Sequence, residues 1–560
     1  MNIKEQIIND IYNILKDFDI TKEEIIVEKP KDRSMGDYAM PCFAFAKKMH
    51  KSPIDIANNI KEQLNGYDNV EVVNGYLNIF VNKKQLTEYV INEVLTKKEN
   101  YGNNTIGEGK TVVIEYSSPN IAKSFSVGHL RTTVIGEALK HINLKNGYKV
   151  YTLNYLGDYG TQFGKLIYAY KTWGNKEEIM KNPIQELKRI YVKFHDEAKI
   201  HPELEDEGRY WFKKLSENDE EAISLWNWFK DESLKEFQKT YDLLGINKFD
   251  SYKGEAAYKD KANEVIEMLI NKGLTEVSEG ATVVPMGEDK IPAIIKKSDG
   301  TSLYITRDIA ALLDRKETYN FDEILYVVGG EQSLHFEQLK TIITKMGYDW
   351  ADTVHHIGFG MVLQDGKKMS TRGGKTVGLQ DVLDETINLA NTIINEKNPS
   401  LENKEEVSKK IGVGAVIFND LKNYRLNDIE FNLNTILEFS GNTGPYLQYT
   451  YARINSLLKN KTDFTVNYDN ININEYMWNI IIDIYDFSDI IYKAKANFDP
   501  SLIAKYLYDL ACDFNKLYAN EKIVDSDENS SQFKLQLSEA TAIVLKEGLR
   551  LLNIEALNKM

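Results

Sequence analysis

The sequence predicts a multidomain α/β protein, in which a parallel-sheet core with a helical insertion lies between an N-terminal α+β module and a C-terminal all-α helical bundle. Three observations carry this prediction. Between about residues 110 and 390, short apolar runs alternate with helical periodicity, the pattern of strands buried on both faces by crossover helices. A hairpin signal stands near the start of the chain, and helical periodicity dominates from about residue 400 onward. At 560 residues the chain exceeds what one core supports, and roughly 100–200 residues per domain gives about three domains.

Composition narrows the class. With 42% hydrophobic residues, 27% charged residues and only 11 prolines, the chain has a globular balance and no long disordered Pro-rich tract. No run of about 18 apolar residues occurs, which excludes a membrane span. Met1-Asn2-Ile3-Lys4-Glu5-Gln6 opens an amphipathic helix instead of a signal region. A cytoplasmic protein with no membrane partner is expected. Cys42 and Cys512 stand far apart with no CxxC or Cys/His cluster, so neither a disulfide framework nor a structural zinc site is readable, and both are expected as core or near-surface thiols. The net charge, 69 − 84 = −15, argues against a nonspecific nucleic-acid binder, so any RNA contact must use local basic patches.

The elements follow in order. Ile3, Ile7, Ile11, Ile14, Leu15 and Phe18 are spaced for one helix face, and Ile56 and Ile60 repeat within a second helix over residues 53–64. Residues 70–73 and 76–81 read as strands joined by Asn74-Gly75, a pair suited to a two-residue turn. This N-terminal module, residues 1–105, ends in the Gly/Asn-rich linker 101–109. Residues 111–115 form the first core strand. A loop and a helix over 127–146 follow, with Gly147 placed to cap the helix, and 149–153 form the second strand. A third strand over 324–330 precedes a helix over 334–346. The core spans residues 110–390, and the charged helical stretch at about 170–280 is read as an insertion. Residues 400–560 form the helical domain, in which the Asn-rich run 467–472 reads as a polar loop.

The window 117–133 joins the first core strand to its helix. A strand end opening into a helix N-terminus presents unpaired N–H groups and the positive end of the helix dipole, which suits a phosphate. Gly128 lets a flat base approach the backbone, and His129 and Lys123 supply donors toward phosphate oxygens. A His alone in a first turn is more often a cap or a core residue, and a lone Lys is usually solvated. Three such residues at one junction favour the functional reading. The segment 365–375 is basic and Gly-rich, so it can close over a pyrophosphate while Lys and Arg neutralise developing charge. Seen alone, it reads equally well as a solvated basic loop.

Ser126-Val127-Gly128-His129 resembles the HIGH signature of class I aminoacyl-tRNA synthetases. The extended stretch Pro119-Asn120-Ile121-Ala122-Lys123-Ser124-Phe125 leading into it is similar to the version in the arginyl-tRNA synthetase family. The first histidine of the signature is replaced by Ser126, which keeps a hydroxyl donor. Lys368-Met369-Ser370 is similar to the KMSKS loop of the class, with Thr371 in place of its second lysine. In the arginyl family a lysine at the position of Lys123 takes over that role. The resemblance therefore implies a Rossmann-type core in which Lys123, His129 and Lys368 are catalytic. Ser126, Val127, Gly128, Met369, Ser370 and Arg372 would complete the ATP site.

An arginine pocket needs carboxylates, because they accept two parallel hydrogen bonds from the guanidinium fork. Tyr304 and Asp308 lie one turn apart at a helix start, where an acidic residue is also ordinary for dipole reasons. The resemblance makes these two the guanidinium contacts and has Glu115, Asn120 and Gln332 line the pocket. Leu156–Gly164 is similar to a further segment of the family. Gly75–Phe80 resembles its appended tRNA-elbow module, which implies RNA contacts from Tyr76 and Asn78, although Tyr76 reads equally well as strand packing. Gly444–Arg453 resembles the anticodon-binding bundle and implies contacts from Tyr446, Gln448, Tyr449 and Arg453, with Leu447 and Tyr451 suited to a core stripe. Residues 548–560 also look like the family's C-terminus, so the resemblance covers essentially the whole chain.

The implied reaction is arginine–tRNA ligation: ATP, L-arginine and tRNA(Arg) give AMP, diphosphate and L-arginyl-tRNA(Arg) through arginyl-adenylate. Mg²⁺ accompanies ATP, zinc is not needed, and the expected form is a monomer. Two rival classes are weighed. A small adenylyltransferase would not need the C-terminal helical third. An inactive RNA-binding paralogue would have no reason to keep Lys123, His129 and Lys368 together.

Overall fold

The computed structural model describes residues 2–123, 125–298, 303–364, 366–369 and 378–560. They fall into two compact units, one of Met1–Tyr101, Leu457–Tyr485 and Cys512–Val544, the other of Gly102–Ser456, Asp486–Ala511 and Leu545–Met560.

In the first unit, the helix Ile3–Leu15 is capped by Asn2, which accepts the Glu5 N–H, and it buries Ile3, Ile7, Ile11 and Leu15. Phe18, expected on the same face, lies in the following 3₁₀ turn and is exposed, because the left-handed Asp19 ends the helical path. Strands β1 (Tyr38–Pro41), β2 (Asn69–Val73) and β3 (Tyr76–Phe80) form an antiparallel sheet in the order β1-β3-β2. Asn74 and Gly75 have φ of 51° and 80° between the paired Val73 and Tyr76, the tight turn their identities predict. Cys42 is buried and Cys512 half-buried.

The second unit holds the parallel core. Strands β4 (Thr111–Glu115) and β5 (Lys149–Leu153) match the expected ranges, and the helix Val127–Lys145 follows β4. Gly147, with φ of 84°, closes this helix: its N–H bonds to Leu144 and the Tyr148 N–H reaches back to Asn143. Nearly every face of the helix is buried, which blurs its periodicity. Gly136 makes room for the Tyr116 ring, since a Cβ there would lie 2.2 Å from Tyr116 Cγ.

Between β5 and the next core strand come helices Thr161–Trp173, Pro183–Ile200, Leu204–Ser216, Glu220–Leu244 and Lys261–Asn271. A three-stranded meander, β6 (Glu276–Ser278), β7 (Ala281–Val284) and β8 (Ala293–Lys296), completes the insertion. The meander has no sequence signal, because its strands are three or four residues long and β6 is exposed throughout.

Strand β9 is Glu323–Tyr326, shorter than the expected 324–330, and pairs parallel with β4 and with β10 (Val354–His356). The chain leaves the sheet after Tyr326, and the His356 ring bonds to the Val328 carbonyl at 3.0 Å. The helix after it is Ser333–Lys345. A small sheet of β11 (Val362–Gln364), β12 (Lys367–Lys368) and β13 (Ile429–Glu430) follows. The remaining chain is mainly helical, and among the described residues no helix is long and apolar enough to cross a membrane.

Candidate active site

After β4 the chain enters a constrained loop. Ser117, Ser118 and Ala122 have φ of 71°, 45° and 60°, left-handed values that cost a non-glycine residue about 1–3 kcal/mol each. Neighbouring groups hold them there. The Ser117 N–H donates to Thr132 Oγ1 at 3.0 Å, Ser117 Oγ lies 2.8 Å from the Tyr241 hydroxyl, and the Ala122 N–H donates to Ser233 Oγ at 2.9 Å. Asn154 donates to the same tyrosine hydroxyl at 2.9 Å. Ile121 and Ala122 also belong to the insertion's hydrophobic core. Helix Glu220–Leu244 therefore acts as the splint of the signature loop, a role that nothing in its sequence announces.

At the end of this loop Ser126 is the N-cap of helix Val127–Lys145. The Ser126 backbone N–H donates to His129 Nδ1 at 3.1 Å, and Ser126 Oγ lies 2.8 Å from the same nitrogen. Burial, reinforced by the nearby Lys123 ammonium, pulls the His129 ring down to about 4, so it is neutral at pH 7. With Nδ1 accepting, the proton sits on Nε2, which makes Nε2–H a donor beside the helix N-terminus. Lys123 is exposed, and Ser124 lies outside the described residues.

A cavity of about 380 Å³ opens at this junction. Ser126, Val127, Gly128 and His129 form one side; Val327, Val328 and Gly329 form the second; Phe359–Val362 and Met369 form the third. A Cβ on Gly128 would meet only Ser126 Oγ, at 3.6 Å, so the glycine leaves the opening clear. Met369 lies where the resemblance expects it, whereas Phe359–Val362 and Val327-Val328-Gly329 were not foreseen, although the latter, just past a buried strand, is a recurring ligand position in open α/β sheets. The Met369 N–H bonds to the Val362 carbonyl at 2.8 Å. The Lys368 side chain and Ser370, Thr371 and Arg372 lie outside the described residues.

A buried pair ties the third wall to the helix. Arg131 Nε lies 3.2 Å from Asp420 Oδ2, its Nη1 donates to the Asn427 carbonyl at 3.0 Å, and its Nη2 donates to the Arg425 carbonyl at 3.3 Å. The Arg425 carbonyl also accepts the Gly360 N–H at 3.0 Å, and Asp428 accepts the Met361 N–H at 2.6 Å.

Beside the sheet ends lies an acidic cluster. Asp308, on helix Tyr304–Tyr319, meets His335 Nε2 at 2.7 Å. Glu115 sits close enough for Asp308 to disfavour its charge, but its carboxylate is taken by the buried Arg315 at 2.5 Å, and burial pushes its pKa up. Glu255 pairs with Arg307 at 3.1 Å, and burial raises it to about 7. Tyr304 is 56% exposed, with the Arg307 guanidinium 4.7 Å from its ring centre. Asn120 is half-buried and bridges to Gly157, and Gln332 is exposed just before helix Ser333–Lys345. The structure thus brings Glu115 and Asp308 together but engages Glu115 internally. Arg315 and His335, their partners, were missed because the pairings are long-range.

Of the residues expected to meet RNA, Tyr76 is 44% exposed beside the Phe43 ring, and Tyr449 is exposed with the Arg453 guanidinium 4.9 Å from its ring centre. Tyr446 is half-buried against Tyr508. Asn78 is buried within β3. Gln448 is fully buried and donates to the Lys410 and Glu555 carbonyls, so it tethers its helix to the C-terminal segment and turns no face to a nucleic acid. Leu447 and Tyr451 are core residues, as their spacing suggests. Among the described residues, no three His, Cys, Asp or Glu side chains are grouped to hold a metal ion.

Comparison with known proteins places this architecture. Residues 90–433 match the catalytic domain of class I tRNA synthetases of the arginine type, residues 447–560 the DALR anticodon-binding domain, and residues 1–81 the arginyl-tRNA synthetase N-terminal domain. The chain is 50% identical to the arginine–tRNA ligase of Exiguobacterium sp. over 97% of its length and 96% of that protein's. It is 49% identical to arginine–tRNA ligase 1 of Bacillus cereus over the whole of both chains. The fold matches that of Thermus thermophilus arginyl-tRNA synthetase with a TM-score of 0.83 at 24% identity, covering 99% of this chain and 100% of that one. The chain belongs to the arginyl-tRNA synthetase family of class I aminoacyl-tRNA synthetases.

Proposed function

We propose that this arginine–tRNA ligase activates arginine with Lys123, His129 and Lys368 acting on ATP, and that Tyr304 and Asp308 hold the substrate guanidinium. The arginine carboxylate attacks the α-phosphorus in line, diphosphate leaves, and the terminal ribose hydroxyl of tRNA(Arg) then takes the arginyl group from the adenylate. The protein contributes mainly position and charge. Nε2–H of His129 and the N–H groups at the start of its helix face phosphate oxygens. Lys123 is the principal cation on the departing diphosphate, and Ser126, Val127, Gly128, Met369, Ser370 and Arg372 enclose the nucleotide. Asn120 and Gln332 line the amino-acid pocket with Glu115, whose charge acts from within its pair with Arg315.

Mg²⁺ enters with the ATP phosphates. Among the described residues Glu331 is the carboxylate lining the nucleotide cavity, and the phosphates supply most of the ion's remaining ligands. Residues 1–105 take the tRNA elbow through Tyr76. Residues 110–390, with the insertion at about 170–280, carry out the chemistry. Residues 400–560 read the anticodon through Tyr446, Tyr449 and Arg453, by stacking and cation contacts. The enzyme works as a cytoplasmic monomer and couples activation to tRNA binding.

The observation that carries this reading is the neutral His129 donor beside a helix N-terminus that opens into the cavity. ATP–diphosphate exchange with each amino acid, with and without total tRNA, tests it. Exchange with arginine alone, and chiefly when tRNA is added, is expected. Exchange with another amino acid overturns the substrate assignment, and no exchange by the folded protein overturns catalysis.

A further inference from the structure

Of the carboxylates in the acidic cluster, Glu115 is spent on Arg315 and Glu255 on Arg307, and Asp308 has the most exposed side chain of the three, at 23% against 6% and 16%. Asp308 meets His335 through Oδ2 alone, and Oδ1 has no partner among the described residues. A carboxylate accepts, so Nε2–H of His335 donates. The imidazole is braced in its turn. Its ring lies edge-on to Phe336 at 5.4 Å, Phe336 stacks on His356 at 4.5 Å, and His356 bonds to the Val328 carbonyl at 3.0 Å. A carboxylate held by one fixed donor cannot rotate freely, so its other oxygen keeps one direction. A planar guanidinium needs such preorganisation.

We infer that His335 is a positioning residue for arginine recognition: it fixes the Asp308 carboxylate so that Oδ1 is presented to the substrate guanidinium. The inference rests on the proposed role of Asp308 and deepens it. The charged and titratable groups around the pair are Glu115, Arg315, Glu255, Arg307, Tyr155, Tyr326 and His356. Of these, Glu115 and Glu255 are already matched by arginines on helix Tyr304–Tyr319. His335 is therefore the side chain that meets Asp308 directly.

The test is steady-state aminoacylation by the full-length enzyme with tRNA(Arg). It compares wild type, His335→Ala, His335→Gln and Asp308→Asn. His335→Ala should raise KM for arginine at least about tenfold, a change of ~1.4 kcal/mol, with KM for ATP within about twofold of wild type. His335→Gln, which keeps a neutral donor, should recover most of that loss. If His335→Ala moves the KM values for ATP and arginine together, or if folded His335→Gln gives no rescue, the inference falls. Asp308→Asn separates the two levels. An unchanged arginine KM in that variant removes Asp308 from recognition and the inference with it, whereas a raised KM there beside an unaffected His335→Ala removes only the role of His335.

Discussion

His129 reaches its working state through one hydrogen bond and its burial. The Ser126 N–H occupies Nδ1, so the neutral ring keeps its donor on Nε2. Ser126, which stands where the class has a histidine, serves as both cap and tautomer lock. Lys123 is exposed at the same junction and is the cation proposed to meet the departing diphosphate. Lys123→Ala should slow adenylate formation at least about tenfold in a pre-steady-state assay, roughly 1.4 kcal/mol of barrier. His141 bears on stability and not on the reaction. Burial pulls its pKa from 6.5 to about 4. Between those values the unfolded chain binds the proton and the folded one does not, so stability falls as pH drops through 6.5 and levels off near 4. For one ring this amounts to at most about 3 kcal/mol. His141→Gln should flatten the dependence of Tm on pH in that window, as measured by thermal melts.

Among the elements, the loop after β4 is shaped by a helix far away in sequence. Of its three left-handed residues, Ser117 is met at its side chain by Tyr241 and Ala122 at its N–H by Ser233, both on helix Glu220–Leu244. Tyr241→Phe removes a hydroxyl shared by Ser117 and Asn154. It should cost about 1–2 kcal/mol in denaturant unfolding. It should also lower the rate of adenylate formation, since the loop leads to Lys123. The local elements were legible in the residues themselves: β4, β5, the hairpin at Asn74-Gly75 and the cap at Gly147 follow from contiguous patterns. The meander β6–β8 was not, because strands this short hold too few alternating positions to show a period. Strand β9 was read four residues too long for a related reason. An apolar run looks the same whether it continues a ladder or turns aside to line a cavity, as Val327 and Val328 do.

For the whole molecule, the Arg131–Asp420 pair joins residues 289 apart and holds the wall Phe359–Val362 against the helix that carries His129. Breaking a buried pair leaves an uncompensated charge, so Asp420→Ala should lower stability by about 3–5 kcal/mol. In protein that still folds, it should raise KM for ATP well above its effect on KM for arginine, which aminoacylation kinetics on both substrates would show. By itself the sequence determined the strand-to-helix junction, with Lys123, Gly128 and His129 side by side, because adjacency along the chain becomes adjacency in space at such a turn. It also determined the order of module, core and helical bundle, because hydrophobic period is a local property. The tertiary structure alone decided that Val327–Gly329 and Phe359–Val362 close the cavity beside His129, that Glu115 answers Arg315 while Asp308 answers His335, and that Gln448 is spent inside the protein. Those outcomes depend on which buried charges and polar groups find partners across the fold, and no local pattern encodes that choice.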